Sequence, residues 1–548
     1  MKLLRTLPVV LLSLSLFAQT PSAAPSEPDW DTAGAAWWSH VQYLADDKLQ
    51  GRLPGTPGFE SATQYVVSQF KAIGLKPAGT DGFLQPIKLL SFRTDDDKSS
   101  AELVSTDNPD KHLTLKPGKD ITLSPHIVSG SAVDAPLVFI GYGLRLPSKH
   151  IDDLAGLDLH GKVVVLYNGA PAKLQGPLRA YSRMPGQRWK TLKAAGAIGI
   201  ISINPPRPLP GQAPTPASGT PATPPPPPET RPTILFADQS LDTLTGLRVN
   251  AAVLPKNADK LLSLSGHTMA ELQPLIDAGK PLPTFDMNTT IHVVTAATQN
   301  PSIDTQNVVG ELEGSDSKLK HEFIVISAHL DHLGVGKPVD GDAIYNGAMD
   351  NASGVASIIE AAKLLATGPR PKRSILFIAL TAEEMGELGS AYFAAKPTVD
   401  KSHLVADLNM DMFLPLFPLH FLEVQGLGES TLGNDARAVA QLNDVEVQFD
   451  KQPDENRFIR SDQVNFIAQG IPALAFKFGW TPDSPEMKTF NDFVKVRYHK
   501  PSDDLNQHVD KAAAAQFTHL LAELAIRVAN APQRPSWYPE SSFAHQTE

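Results

Sequence analysis

Apolar and polar positions change period several times along the chain, and each change predicts an element. In the stretch from Trp30 to Gly79, Tyr65, Val66, Phe70 and Ile73 recur at helical spacing and Gly74 ends the run, which reads as helix, turn, helix. Around Ser131 the texture shifts to short β-type runs, PLVFIGYGL and GKVVVLYNG. A helical stretch ending KTLKAAGAIGIISI follows, with Ile198 to Ile203 as another buried strand. From about Thr289 onward, apolar runs alternate with helical patterns: FIVISA, ASGVASIIEAAKLLA, SILFIAL, LGSAYFAAK, LVADLNM and PALAFKF. This alternation predicts a layered α/β sheet. Ligands of such sheets bind outside the carboxyl ends of the strands, so the residues just after each apolar run are the ones to inspect.

Composition narrows the classes. At 548 residues the chain exceeds what one core organises, which favours two or more domains or one domain with a large insertion. A formal net charge of -11 leaves no basic footprint, so nucleic acid and anionic lipid are excluded as partners. Lys2 and Arg5 precede an apolar run from Leu7 to Ala18, with Ser22, Ala23 and Ala24 behind it. That is the pattern of a signal peptide, shorter than the ~18 apolar residues of a spanning helix, and it predicts an exported protein, periplasmic or secreted, with no membrane span. With no cysteine, any metal must be held by His and carboxylates. The segment PPRPLPGQAPTPASGTPATPPPPPETRP lacks donors for a ladder and is expected to form an extended surface loop.

The strand ends carry the chemistry. FIVISA is followed by His329-Leu330-Asp331-His332; a histidine there suits a metal, and Asp331 is placed to hold its second ring nitrogen. Asp350 stands just ahead of a helix whose apolar positions are Val355, Ile358, Ile359, Ala362 and Leu365, and taken alone it reads as a helix cap, a role open to Asn351 as well. After SILFIAL come Glu383 and Glu384, a pair able to split roles between metal and proton. Asp411 sits between methionines, where an unpartnered charge is costly. His499 supplies a second imidazole, with Asp503 as its expected acceptor. Each has a bland reading alone. Jointly they place two imidazoles and three carboxylates, plus one extra glutamate, at successive strand ends, a donor mix that suits zinc.

These segments, SAHLDHLG, GAMDNASG, TAEEMGELGS, NMDM, RSDQVNFIAQGIPA and YHKPSDD, resemble the co-catalytic di-zinc aminopeptidases of the bacterial leucine-aminopeptidase type that carry an inserted protease-associated domain. The resemblance implies a mixed central sheet flanked by helices, with a mainly β insertion. It implies two zinc ions per chain: His329 and Asp411 on one, Glu384 and His499 on the other, Asp350 bridging, and a cis peptide between Asp350 and Asn351. Peptides with a free N-terminus would be cleaved by a metal-activated bridging water, with Glu383 as general base. Tyr498 either donates to the oxyanion or packs beside His499, and Arg460 either touches substrate or pairs with an acidic neighbour; both stay open. The chain divides accordingly into a signal peptide (1–24), catalytic parts (25–130 and 285–535), an inserted protease-associated domain (131–284) with its Pro-rich loop (205–233), and a tail (536–548).

Three other readings compete. A metallocarboxypeptidase needs a cationic pocket, for which Arg457, Arg460 and Lys477 are candidates. Glutaminyl cyclase resembles a one-zinc version of the site, and a receptor-like ectodomain would have lost its ligands; the intact donor set argues against both.

Overall fold

The computed structural model describes residues 28–125, 131–174, 176–205 and 232–544. The expected signal peptide and nearly all of the Pro-rich loop lie outside the described residues.

The apolar runs become the centre of an 11-stranded mixed sheet. Ser374–Leu380, Phe323–His329, Leu404–Asn409 and Ala473–Phe478 lie side by side and parallel, in that order. All four are fully buried, as continuous apolar runs require when both faces are covered. Register aligns His329 with Leu380 and Ser327 with Asn409, so the carboxyl ends open at one edge. Ile303–Leu312 and the 11-residue strand Leu84–Thr94 extend the sheet antiparallel on one side; Phe421–Gln425 and Glu446–Gln448 extend it on the other.

Helices cover both faces. The expected helix is Pro57–Ile73, opened by the Thr56 side chain and closed by Gly74 at φ 84°, a left-handed stop that glycine adopts without a Cβ penalty. Trp30–Leu44, Ser353–Thr367 and Lys511–Asn530 pack together in the larger core, where the buried Trp37 indole donates to Ser357 Oγ at 3.0 Å. Leu388–Ala395 and Gln463–Ile467 cover the other face through Phe393 and Phe466. Among the described residues no helix is long and apolar enough to cross a membrane.

A second, eight-stranded sheet has its own core. Its strands run from Ser100–Ser105 to Thr284–Val294, so it is wider than the 131–284 interval expected for an insertion. Ser100–Ser105 and Thr284–Val294 alternate buried and exposed positions, a two-faced pattern less conspicuous than the continuous runs of Val163–Tyr167. Conversely Thr233–Phe236, inside that interval, pairs with Leu84–Thr94 of the first sheet. The second unit leans on the first through helix Gly176–Tyr181: Arg179 pairs with Asp454 at 2.8 Å, and Tyr181 packs with Phe458 and Phe543. The C-terminal stretch is therefore docked, with the Trp537 indole donating to the Gly470 carbonyl.

Beneath the open edge, Asp407 is buried within the parallel strands. Ser327 Oγ donates to its Oδ1 at 2.8 Å, while Oδ2 has no partner. Burial, reinforced by nearby Asp462, raises its pKa well above the ordinary carboxylate value. An acid raised in the folded state contributes stability while protonated and loses it as pH climbs through the folded pKa. Asp407→Asn is expected to stabilise the fold progressively more from pH 5 to pH 8, by about 1–3 kcal/mol at the upper end, read as a growing rise in melting temperature; a gain that shrinks with pH would contradict this origin.

Candidate metal centre

The connections leaving the parallel strands bring the predicted residues to one place. His329 ends its strand and is 1 % exposed; its Nε2 lies 3.3 Å from Asp350 Oδ1 and 3.5 Å from Asp411 Oδ1. His499, from the turn after helix Pro485–Val496, sets its Nε2 3.2 Å from Asp350 Oδ2 and 3.1 Å from Glu384 Oε2. Asp350 thus offers one oxygen to each side. Its peptide bond to Asn351 is cis. The Asn351 side chain accepts from Gly354 N at 3.1 Å, and its amide donates to the Met410 carbonyl at 2.8 Å, tying the turn to the strand end that carries Asp411.

The donor set fits a cation. His329 Nε2, Glu384 Oε1 and Asp411 Oδ1 are buried without a hydrogen-bond partner, a cost of about 1–3 kcal/mol each unless another group satisfies them. His329, Asp350 and Asp411 offer donor atoms close enough for one ion, and His332, Asp350 and Glu384 form a second such group. Burial alone would raise Asp350, yet the neighbouring imidazoles of His329, His499 and His332 hold it well below the usual carboxylate range. Burial likewise opposes protonation of His329, but Glu383, Asp350 and Asp411 together raise it well above an ordinary imidazole. The cluster is one that draws positive charge.

Glu383 belongs to neither group of ligating atoms. It is half-buried, and burial together with Asp411, Glu384 and Asp462 raises its pKa well above the ordinary value, so its carboxylate is receptive to a proton. Left-handed backbone at Ala382 (φ 54°), Met412 (φ 52°) and His499 (φ 57°) places strain in the very turns that carry these side chains.

Two supporting residues act through different atoms than expected. His329 Nδ1 meets the backbone carbonyl of Asp331 at 3.1 Å, while the Asp331 carboxylate accepts from the amides of Glu383 and Glu384 at 3.1 and 3.3 Å. Asp503 does not reach His499. It accepts from the amides of Met349 and Asp350, each at 3.0 Å, and from the Gln507 amide group. In both cases a turn exposes amide donors that a buried carboxylate can satisfy, and the ligand is fixed through its backbone.

Two functional positions escaped the sequence. His332 is wholly buried against Glu384, Nδ1 to Oε1 2.8 Å; it was visible as a third histidine but no rule separated it from His329. Arg52 is 0 % exposed and donates to the carbonyls of Leu44, Leu330, Asn346 and Gly347, so it joins the turn after His329 to the turn before Asp350. It comes from a distant, non-periodic turn, and no sequence signal marks it.

A cavity opens beside Asp411, lined by Met412, Leu414, Arg457, Arg460, Lys477 and Tyr498. The Lys477 ammonium donates to the carbonyls of Asp411 and Met412 at 2.8 and 2.9 Å. Arg457 donates to Gln452 and lies over the Phe490 ring. Arg460 is exposed and donates to the Glu455 carbonyl at 3.2 Å. Tyr498 packs beside His499, ring centroids 3.9 Å apart and tilted by 30°, and burial with the neighbouring carboxylates raises its phenol far above the ordinary value, which keeps it a donor.

Buried imidazoles and carboxylates at the mouth of a parallel sheet, with a glutamate held beside them, define the class of the metallopeptidases. Residues 307–525 match the model of peptidase family M28. Among similar proteins, carboxypeptidase Q of Rattus norvegicus is 34% identical over 128 residues, 23% of this chain and 25% of its own. The probable lipoprotein aminopeptidase LpqL of Mycobacterium tuberculosis is 27% identical over 248 residues, 40% of this chain and 44% of its own. The match thus spans about a quarter of the length of that carboxypeptidase Q. The solved structure of an aminopeptidase from Aneurinibacillus sp. strain AM-1 aligns with a TM-score of 0.48 at 20% identity, over 91% of this chain and 95% of its own.

Proposed function

We propose that this chain is an exported aminopeptidase that uses two zinc ions, His329, Asp350 and Asp411 holding one and Asp350, Glu384 and His499 the other. Bound ions of this kind acidify water and offset charge on a developing oxyanion. Glu383 takes the proton of the attacking water and returns it to the leaving amine, which requires a carboxylate near the ligands but outside their set. Tyr498, held protonated, donates to the oxyanion. Asp331 and Asp503 keep the ligand-bearing turns in register. The second unit, read as a protease-associated domain, supports the rim through the contacts of Arg179 and Tyr181.

The observation that carries the choice of substrate end is the state of the cations. Lys477 and Arg457 already have partners, and Arg460 donates to a backbone carbonyl. Acidic groups crowd the adjoining metal centre: burial, with Asp411 and Glu384 adding to it and Arg460 opposing it, pushes Glu387 up to about 7. A substrate ammonium meets this surplus of carboxylates better than a terminal carboxylate would. The second reading, a carboxypeptidase, is favoured by the presence of three basic residues around the cavity and by the relatives of that name.

Hydrolysis of peptides with free, N-acetylated and C-terminally amidated ends, with and without chelator and zinc restoration, separates them. Chelator-sensitive cleavage blocked by acetylation and indifferent to amidation is expected. Loss on amidation with acetylation tolerated would establish the carboxypeptidase instead.

A further inference from the structure

The two sides of the metal centre are not equivalent. On the side of His329 the protein offers one imidazole and the carboxylates of Asp350 and Asp411. On the other side, Asp350 and Glu384 lie between two imidazoles. His499 Nε2 reaches both carboxylates at 3.2 and 3.1 Å; His332 Nδ1 lies 2.8 Å from Glu384 Oε1 and 3.9 Å from Asp350 Oδ2. The two rings stand 5.8 Å apart at 66°.

His332 is not engaged in ordinary hydrogen bonding. Neither ring nitrogen has a partner of acceptable geometry, nor does Glu384 Oε1, although all three atoms are buried. A buried imidazole with both nitrogens unsatisfied is costly. Nδ1 and Oε1 close together but misaligned for a hydrogen bond are arranged as donors converging on a common third atom. The ring is also held in place: Gly347, at φ 60°, leaves the room it occupies, since a Cβ there would lie 2.6 Å from His332 Cγ.

We propose that His332 is a fourth protein ligand at the Asp350–Glu384–His499 position, which closes that position and leaves the His329–Asp350–Asp411 position as the one with an open site. Zinc held by four protein donors is the arrangement of structural sites, whereas three donors leave a place for water or substrate. The ion beside Glu384 is then the last to leave on chelation. The inference rests on the metal-centre part of the proposed function, but it is read without any peptide substrate, so its failure and that of the aminopeptidase reading are distinguishable.

The test loads one equivalent of Co²⁺ into His329→Ala, which disables the first position, and counts exchangeable imidazole N–H protons shifted by the paramagnetic ion. Two such signals, falling to one in His329→Ala/His332→Ala, are expected, with at least a tenfold weaker cobalt affinity in the double variant. A single signal with His332 present would overturn the proposal, as would a count unchanged by its removal. Affinity loss with an unchanged count would make His332 a positioning residue for Glu384 and would likewise overturn it. Because the His329→Ala chain is already altered, the wild-type protein carrying two Co²⁺ serves as a second measurement. Three imidazole signals there, falling to two in His332→Ala, support the proposal, and two with His332 present contradict it.

Discussion

Glu383→Gln is expected to lower kcat by about 10²–10⁴-fold while the bound metal content stays that of the unaltered protein. The amide keeps the size of the side chain and its place after the strand Ser374–Leu380, and the backbone amide of Glu383 still donates to Asp331. Only the ability to take a proton is lost. KM should move little, because a proton acceptor contributes in the transition state rather than to uniform binding. Elemental analysis beside steady-state kinetics checks both halves. Loss of metal along with activity would make Glu383 a ligand, and retained activity would assign the proton transfer elsewhere.

Arg52→Ala is expected to cost about 3–5 kcal/mol of stability, although Arg52 is remote in sequence from every metal-site residue. Its guanidinium serves four carbonyls with no exposure to water, and removing it leaves those acceptors buried beside the carboxylates of the site. Burial lowers its pKa to about 10, with Asp331, Asp503, Asp350 and Glu384 opposing the drop, so it remains a cation at neutral pH. Arg52→Lys should recover little, because an ammonium cannot reproduce the planar fork. Denaturant melts with metal chelated measure the loss; a change below about 1 kcal/mol would mean that water takes over the carbonyls.

The central sheet was legible because its strands are buried on both faces. Continuous runs such as FIVISA and SILFIAL are conspicuous, and the strand ends they mark are where His329, Glu384 and Asp411 converge. Gly74 was legible for an equally local reason, the left-handed stop it permits. Long-range atom choices were not legible. That Asp503 would serve the amides of Met349 and Asp350 rather than an imidazole depends on chain crossings some 150 residues apart. His332 differs from His329 only in which way its ring faces after a turn. Strands of the second sheet with one exposed face, such as Ser100–Ser105, carry a weaker pattern and fall outside the expected interval for that reason.

The short strand Thr233–Phe236 has one more consequence. Leu84–Thr94 would otherwise turn a long row of backbone donors and acceptors outward, a ready template for another copy of the chain. Thr233–Phe236 pairs with Leu89 to Phe92 along that outer side, while the opposite margin is only the three residues Glu446–Gln448. The segment that returns from the second unit therefore acts as a guard against aggregation, and the cost of deleting that unit would fall first on solubility.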